Sequence, residues 1–551
     1  MPASSSGDHE RSRGVVKDFL PIPVLDARQA AEWDALSIER SVPSRVLMES
    51  AGRAAAVVIA REFGAKLSGG IVVAAGHGNN GGDGWVVARA LGAHGVPVWV
   101  AEPGGGGEGV ERSPDCEANR TLALEGSVES LGPDDDWPRA ALVVDALLGT
   151  GAAGSPRGKI GAMAARIANH GMPVAAIDGP TGLDLTTGEA HGPVRADLTV
   201  TFGGLRRGHV LAREWCGSVV VVEMGFVPLP SRTEWPGFVD DRWVAARLPR
   251  FRASMHKGDR GRVLIVGGQN GMAGAARHAA RAAFAAGAGL VKVAAQAESV
   301  AALQETLPDA MSVATALGAE VEAELGAALA WADAVVLGPG LGRGAERAAF
   351  VERVLAASAG SGDSNRPVFV IDADALHTGR DAWGAGSAPR VLTPHLGEFK
   401  AAFPDALDLV AGDRFAATAA ASEARGDGPA DPPPPPITVL LKGVPTIGAS
   451  SGRRMAVTAS GNPALATGGS GDLLAGFIAT FLAQGLDPHD AAAMGAHVLG
   501  RAAEIASADS SVRSTRPDDV LAAVPDLWHE MDAAPLLDPP ILLRLDPPAV
   551  V

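Results

Sequence analysis

The chain has 551 residues, more than one ordinary hydrophobic core organises, so two domains are the natural expectation. Hydrophobic residues make up 47% and charged residues 20%, a globular balance, and a formal net charge of −16 argues against a nucleic-acid or anionic-membrane surface. Cys116 and Cys216 are the only cysteines, which argues against a disulfide framework or a cysteine-ligated zinc site and fits a reducing cytoplasm.

Residues 1–19 are polar and charged; they are expected to be disordered and lack the apolar core of a secretory leader. No uninterrupted apolar run reaches membrane-spanning length. Helical patterns follow at Asp26–Arg40 and Arg45–Phe63. Short apolar runs at Gly70–Ala75, Val96–Glu102, Ala141–Asp145, Val174–Ile177, Leu198–Phe202 and Val219–Val222 then read as strands buried on both faces of a parallel sheet. Helical segments around Ala88–Leu91, Cys116–Leu124 and Ile160–His170 separate them, giving a doubly wound α/β domain over 20–230. The proline-rich, aperiodic stretch Val227–Pro236 marks a linker, placed at 231–239. A second α/β pattern fills 240–530, with strands at Val263–Val266, Val291–Ala294, Ala334–Leu337, Val368–Ile371, Val391–Leu392, Ile437–Leu441 and Met455–Thr458. Long helices are expected at Gly274–Ala286, Asp472–Gln484 and Pro488–Ala506. Gly104–Gly107, Gly360–Asn365 and Pro432–Pro436 read as flexible insertions. The proline-rich tail, 531–551, is expected to pack on the body or on a partner subunit.

The apolar run Ile71-Val72-Val73-Ala74-Ala75 leads into Gly76-His77-Gly78-Asn79-Asn80-Gly81-Gly82-Asp83-Gly84, and a helical pattern runs from Trp85 to His94. Strand, glycine-rich turn and helix start together make an anion-binding corner, because glycines admit a phosphate close to free backbone N–H groups. An ordinary tight connection explains the glycines, but not Asn79, Asn80 and Asp83 between them. Asp145 ends the next strand candidate, before Ala146-Leu147-Leu148-Gly149-Thr150-Gly151, and a third strand ends in Asp178-Gly179-Pro180-Thr181-Gly182-Leu183-Asp184. Singly, each aspartate reads as a helix cap or turn residue. At three successive strand ends of one parallel sheet they read as a site, since ligands bind beyond the carboxyl ends of such strands.

A second corner lies at Asn462-Pro463-Ala464-Leu465-Ala466-Thr467-Gly468-Gly469-Ser470-Gly471-Asp472-Leu473-Leu474-Ala475-Gly476. The backbone N–H groups from Gly469 to Gly471 form an anion hole, and Asp472 stands beside it as a base. Two phosphate-type corners in two α/β halves point to two coupled active sites.

Residues 20–230 resemble the NAD(P)HX epimerase family, which acts on hydrated NADH and NADPH, through Leu47-Met48-Glu49-Ser50-Ala51-Gly52-Arg53, the Asn-Asn-Gly-Gly-Asp string, Val144-Asp145-Ala146 and Gly182-Leu183-Asp184. The resemblance implies that Asn80, Asp145 and the hydroxyl of Thr181 hold a potassium ion, for which hard oxygen ligands are suited. It implies that Asn79, Asn80, Gly81, Gly82, Asp83, Gly149, Thr150, Gly151, Ala152, Ala153, Gly154, Ser155 and Asp178 line the hydrated dinucleotide. Asp145 is the candidate acid/base. Thr181 replaces a usual serine and keeps the hydroxyl. Arg206 replaces a usual lysine and cannot donate a proton at neutral pH, so it is not placed among the catalytic residues.

Residues 240–510 resemble the NAD(P)HX dehydratase domain of the ribokinase-like superfamily. The motifs are His256-Lys257-Gly258, Gly267-Gly268, Gly271–Ala276, Ala286–Leu290, Gly338-Pro339-Gly340-Leu341-Gly342, Asp372–Leu376, Thr393-Pro394-His395, Leu441-Lys442-Gly443 and Gly469–Asp472. The resemblance implies phosphorylation of the hydrate's hydroxyl and elimination, with Asp472 as catalytic base. Lys442, Gly443, Val444, Pro445, Thr446 and Gly471 would border the nucleotide, and Ala276, Gly340, His395 and Asp472 the hydrated dinucleotide. Mg2+ is expected with ADP or ATP. On the residues alone, His395 also reads as a capped surface turn and Lys257 as a solvated charge. Asp372 and Asp374 would share a face if their strand ran that far. Leu396, Met272 and His377 depart from the usual pattern.

The expected protein is therefore two three-layer α/β/α domains, one Rossmann-like and one ribokinase-like. It is expected to be a cytoplasmic homo-oligomer that epimerises R- and S-NAD(P)HX and dehydrates the S form at the expense of ADP or ATP. Its expected ligands are NADHX, NADPHX and ADP or ATP, with neither nucleic acid nor membrane as partner. The rival readings are a ribokinase-like small-molecule kinase and a non-catalytic N-terminal binding module.

Overall fold

The computed structural model describes residues 22–104, 111–132, 135–229, 234–318, 320–357, 367–379, 383, 388–423, 437–508, 510–532 and 539–550. The disorder expected for 1–19 and the insertions at Gly360–Asn365 and Pro432–Pro436 lie outside these residues, as does all of Gly104–Gly107 except Gly104.

The first sheet has eight strands in the order Ile541–Leu545, Ser218–Val222, Leu198–Phe202, Val174–Ile177, Leu142–Ala146, Ile71–Ala75, Val98–Ala101, Val128–Leu131. Every neighbouring pair is parallel except the first. All five residues of Ile71–Ala75 are buried because the alternating side chains enter two cores. Ile71, Val73 and Ala75 pack with Ala55, Ile59 and Trp85 on one face. Val72 and Ala74 pack with Met163, Ala164 and Ile167 on the other. From Ile71–Ala75 the chain steps outward through Val98–Ala101 and Val128–Leu131, then returns to Leu142–Ala146 and winds the opposite way. The topological switch point thus lies between Ile71–Ala75 and Leu142–Ala146, where Ala74 pairs with Asp145.

The second sheet begins Met311–Ala314, Leu290–Ala295, Arg262–Val266, Ala334–Leu337, Val368–Ile371, Arg390–Leu392, Ile437–Leu441, all parallel. Val263 and Ile265 face one core, and Leu264 and Val266 the other. Its switch point lies between Arg262–Val266 and Ala334–Leu337, whose ends carry Gly267-Gly268 and Gly338-Pro339-Gly340. Helix Ser470–Ala483 covers one face and approaches helix Ala273–Ala285 closely. A Cβ on Gly476 would meet Ala279 O at 2.2 Å, so glycine sets that approach. Phe477 and Phe481 are fully buried there, and truncating either to alanine is expected to cost about 3–5 kcal/mol.

The second sheet continues through antiparallel Thr446–Ser450 and Ala456–Thr458 to Gly237–Phe238, Ile22–Leu25 and Leu205–Arg206. The stretch read as a linker thus contains a strand, Gly237–Phe238, which joins both halves. The tail contributes the strand Ile541–Leu545, antiparallel to Ser218–Val222 in the first sheet. Ala456–Thr458 falls within the strand expected at Met455–Thr458, whereas Gly237–Phe238, Ile22–Leu25 and Leu205–Arg206 carry too few residues to show a period.

One local reading is corrected and one left conditional is decided. The Asn79–Asp83 segment is not a loop before a helix; the helix begins at Asn79 and runs to Gly92. Its glycines let the first turn press on the strand ends, since a Cβ on Gly81 would meet Gly76 O at 1.8 Å and one on Gly84 would meet Ala146 Cβ at 2.5 Å. The strand Val368–Ile371 stops before Asp372, and a 3-10 turn begins at Ala373 with φ +49°. Asp372 and Asp374 therefore take different partners.

Candidate functional site

At the first switch point, Asp145 is fully buried at the end of its strand. Thr181 N donates to Asp145 Oδ2 and Thr181 Oγ1 to Asp145 Oδ1, both at 2.8 Å, and Leu147 N donates to Oδ1 at 3.3 Å. Burial pushes the Asp145 carboxyl up to about 6, and these hydrogen bonds oppose the rise. Thr181 Oγ1 in turn accepts from Leu148 N at 3.2 Å.

Asp178, at φ +64°, receives Thr150 N at 2.8 Å and Thr150 Oγ1 at 2.5 Å on Oδ2, and Thr201 Oγ1 at 3.2 Å on Oδ1. Arg206 Nη2 lies 3.2 Å from Asp178 Oδ1. Burial alone would raise this carboxyl, but Arg206 and Thr150 outweigh it and hold it below the ordinary range. The buried His209 bridges the pair. Its Nδ1 accepts from Arg206 N at 3.0 Å, so its Nε2 carries the proton and donates to Asp178 O at 2.8 Å. Burial pulls this imidazole down to about 4, which keeps it neutral.

Gly149 threads between these groups; a Cβ there would stand 2.9 Å from Asp178 Oδ2 and 3.3 Å from Asn80 Oδ1. Both polar atoms of the Asn80 amide are buried without a hydrogen-bond partner. A cavity of about 610 Å3 opens on Asn79, Asn80, Asp83, Gly149, Thr150, Gly151, Ala152 and Asp178. Gly81 and Gly82 are buried behind it, and Ala153, Gly154 and Ser155 are not among its lining residues. Arg206, Asp34 and Met48 also line it. Sequence reasoning set Arg206 aside for lack of a labile proton, yet here the guanidinium holds a carboxylate. Asp34 sits on a helix surface, where no local pattern distinguishes it.

At the second switch point Asp472 lies in the first turn of helix Ser470–Ala483, just after Gly469 at φ +100°. Burial and the carboxylates of Asp372 and Asp374 push Asp472 up to about 8 against the pull of Lys442. Lys442 Nζ lies 3.0 Å from Asp372 Oδ1 and 3.7 Å from Glu398 Oε2. A Cβ on Gly471 would meet Lys442 Nζ at 3.4 Å and Asp372 Oδ2 at 3.7 Å, so loop lysine and helix N-terminus face one space. Gly443 (φ +149°) presses on Arg414, whose Nη2 donates to Lys442 O and Pro445 O, each at 3.3 Å. Val444 is exposed, and Thr446 Oγ1 donates to Gly443 O at 3.0 Å.

Gly340, at φ +59°, packs against the Met272–Ala275 turn, and Ala276 is fully buried behind Gly268. His395 caps helix Leu396–Ala402: its Nδ1 accepts from Gly397 N at 2.9 Å, while Glu398 reaches back to His395 N at 2.9 Å. Its ring remains largely exposed, with Nε2 3.5 Å from Glu398 Oε1. Asp374 accepts from Gly342 N and Arg343 Nε, both at 2.9 Å, and anchors the Gly338–Gly342 loop. Glu398 and Arg414 are absent from the sequence-derived set; Glu398 enters through its capping box with His395, and Arg414 through strand order. Among the described residues no group of three or more histidine, cysteine, aspartate or glutamate side chains is arranged to hold a metal, and no helix is long and apolar enough to cross a membrane.

Comparison with known proteins places both halves. The family described as NAD(P)H-hydrate dehydratase matches residues 263–526, and the one described as YjeF-related protein N-terminus matches 44–208. A protein of Escherichia coli described as a bifunctional NAD(P)H-hydrate repair enzyme is 32% identical over 401 residues, covering 70% of this chain and 72% of that protein. Its counterpart in Salinibacter ruber is 37% identical over 418 residues, with 71% and 72% covered. A solved structure, described as the ADP/ATP-dependent NAD(P)H-hydrate dehydratase from Bacillus subtilis co-crystallized with ATP/Mg2+, has TM-score 0.46 at 25% identity over 54% of this chain and 98% of that chain. With both segments present in order and the identity sustained over most of each relative, the chain belongs to the family of bifunctional NAD(P)H-hydrate repair enzymes.

Proposed function

We propose that residues 20–230 interconvert the R and S epimers of hydrated NADH and NADPH, and that residues 240–530 dehydrate the S epimer. The second reaction transfers the terminal phosphoryl group of ADP or ATP to the hydrate's hydroxyl oxygen. The carbon–oxygen bond then breaks, phosphate leaves, and loss of a proton from the adjacent carbon restores the ring double bond. The observation that carries the reading is the placement of Asp472, raised to about 8, in the first helical turn after Gly469 with Lys442 facing Gly471. Asp472 takes the hydroxyl proton, and the Gly469–Gly471 amides with Lys442 stabilise charge on the transferring group. Gly443, Val444, Pro445 and Thr446 border the nucleotide. Ala276, Gly340 and the exposed edge of His395 border the dinucleotide. Mg2+ accompanies the nucleotide and supplies charge neutralisation on its phosphates.

In the first domain Asp145 is the acid/base, with a carboxyl near 6 that exchanges protons around neutrality. Asn79, Asn80, Asp83, Gly149–Ala152 and Asp178 hold the dinucleotide. Asn80, Asp145 and Thr181 fit a potassium ion: the donors are hard oxygens, and the Asn80 amide is buried with no protein partner. Such an ion would supply fixed positive charge beside the reacting ring. The reading includes a cytoplasmic homo-oligomer.

The test supplies purified protein with resolved NADHX epimers and with ADP, ATP or neither, and follows NADH. Nucleotide-dependent recovery from both epimers, abolished by Asp472→Asn, is expected. Asp145→Asn is expected to spare the S epimer and to stop use of the R epimer beyond its spontaneous rate. Nucleotide consumption without NADH would instead favour a small-molecule kinase.

A further inference from the structure

Arg206 and Arg207 are consecutive, yet they serve different halves of the molecule. Arg206 lies 3.2 Å from Asp178 Oδ1 and donates from Nε to Thr150 Oγ1 at 2.8 Å, inside the first cavity. Arg207 is largely buried between domains. Its Nη2 lies 3.3 Å from Asp26 Oδ2, its Nη1 3.4 Å from Asp413 Oδ2, and its guanidinium carbon 4.7 Å from the centre of the Phe415 ring. Asp413 and Phe415 flank Arg414, which holds Lys442 O and Pro445 O of the nucleotide-bordering loop. On each side, a single step along the chain separates the interdomain contact from a site contact.

The backbone follows a parallel route. Leu205–Arg206 pairs with Val24–Leu25, Ile22–Pro23 with Gly237–Phe238, Gly237–Phe238 with Ala456–Val457, and Thr458 with Thr446. An unbroken strand ladder thus ends at Arg206 in one site and at Thr446 in the other.

We propose that Arg207 is a positioning residue that couples the two active sites, so that a nucleotide diphosphate or triphosphate on Lys442–Thr446 alters the hold of Arg206 and Asp178 on the dinucleotide of the first site. A ligand pressing on that loop shifts the carbonyls that Arg414 grips, and Asp413 and Phe415 move with Arg414. Arg207 follows its carboxylate and ring partners. Arg206 shares a planar peptide with Arg207, so a shift of the backbone at Arg207 reaches Arg206. Linkage makes the coupling reciprocal: the dinucleotide in the first site changes nucleotide affinity by the same factor.

The inference rests on the proposed assignment of the two sites, and the experiment separates the two. In protein carrying Asp472→Asn, dehydration is blocked and conversion of the R epimer reports the first site alone. Conversion is measured with and without saturating Mg-ADP, and ADP binding is measured by calorimetry on the same protein. The expected result is a change of about three- to tenfold in KM for the R epimer, with kcat little altered. Adding Arg207→Met or Asp413→Asn should leave ADP bound and remove the change, and combining them should do nothing more. Asp413 has a partly exposed side chain, so its variant carries the test if Arg207→Met fails to fold. Amide exchange at 205–207 should slow or quicken with ADP only when Arg207 is intact. Bound ADP with an unchanged KM, or a change that survives both substitutions, overturns the coupling and leaves the proposed function standing. Failure of ADP to bind, or absence of epimerisation, overturns both.

Discussion

Lys442 Nζ lies 3.0 Å from Asp372 Oδ1, and the same carboxylate oxygen receives the Thr393 hydroxyl at 2.6 Å. Asp372 is thereby held in place, and Asp472, facing the same space, becomes the carboxyl that keeps its proton, near 8. A base acts when deprotonated, so kcat/KM for dehydration should rise about tenfold per pH unit below about 8 and level off above it. Asp372→Asn removes a like charge, and the rising limb should move to lower pH. A flat profile from pH 6 to 9 would remove Asp472 from the role of base.

The same shift has a consequence for stability. An aspartate in an unfolded chain titrates near 3.9, well below the folded value of Asp472. Its contribution is fully present below the unfolded pKa and is lost as pH rises through the folded one. Asp472→Asn should therefore gain stability relative to the parent between about pH 4 and 8 and hold the gain above. Partial exposure of the carboxyl reduces the effect to about 1–3 kcal/mol. Urea unfolding of both proteins at pH 5 and 8.5 measures it; equal stabilities at both values would contradict the burial argument.

In the first site, the Thr181 hydroxyl donates to Asp145 at 2.8 Å and is one of the hydrogen bonds that keep this carboxyl near 6. Thr181→Val deletes that donor and leaves the backbone donor in place. In potassium-free buffer Asp145 should then titrate higher, and the acid limb of the epimerisation measured there should move up. Thr181→Ser keeps the hydroxyl and should leave the limb where it is. A limb that ignores Thr181→Val would separate the titrating group from Asp145.

The Asn80 amide makes no hydrogen bond to protein although both of its polar atoms are buried. Asn80→Ala thus removes an unsatisfied group and should change stability in potassium-free buffer by less than about 1 kcal/mol. An ion that binds only the folded state raises the melting temperature by mass action. The parent should show such a rise when sodium is replaced by potassium, and Asn80→Ala should not. Equal responses of the two proteins would place the ion elsewhere.

Much of this was legible in the sequence because the central strands are short, largely apolar and buried on both faces, as in Val174–Ile177 and Ala334–Leu337. Asp145, Asp178 and Asp472 were legible because each follows a strand or opens a helix within a glycine-rich string. The helical state of Asn79–Asp83 was not, because a glycine run signals a turn by propensity, and only packing on Gly76, Met48 and Ala146 makes helix the better solution. Arg414 and Arg207 act through partners brought together by strand order, for which no local pattern exists, whereas Glu398 lies three residues after His395 in a capping box. The short strands at Ile22–Leu25, Leu205–Arg206 and Gly237–Phe238 are equally silent, since pairing between distant segments defines them.

Strand Ile541–Leu545 closes the outer edge of the first sheet although it follows the whole second domain in sequence. Leu543 and Leu545 are buried with Val219 and Val221, Ser218 Oγ donates to Asp546 Oδ1 at 2.9 Å, and Arg544 Nη1 lies 2.8 Å from Glu62 Oε2. Arg213 reaches both Ala459 O and Asp546 O, tying this tail to each domain. Truncation after Pro540 removes two buried leucines, uncovers Val219 and Val221 and bares one strand edge, a loss of about 3–6 kcal/mol from apolar burial alone. The bared edge of Ser218–Val222 is then free to pair with another chain. Epimerisation should consequently fail at a lower temperature than dehydration, with aggregation that scales with protein concentration. Leu543→Asp should reproduce the order of failure with the chain length intact. If the truncated protein keeps both activities to the parental temperature, the strand is an accessory and the first sheet is complete without it.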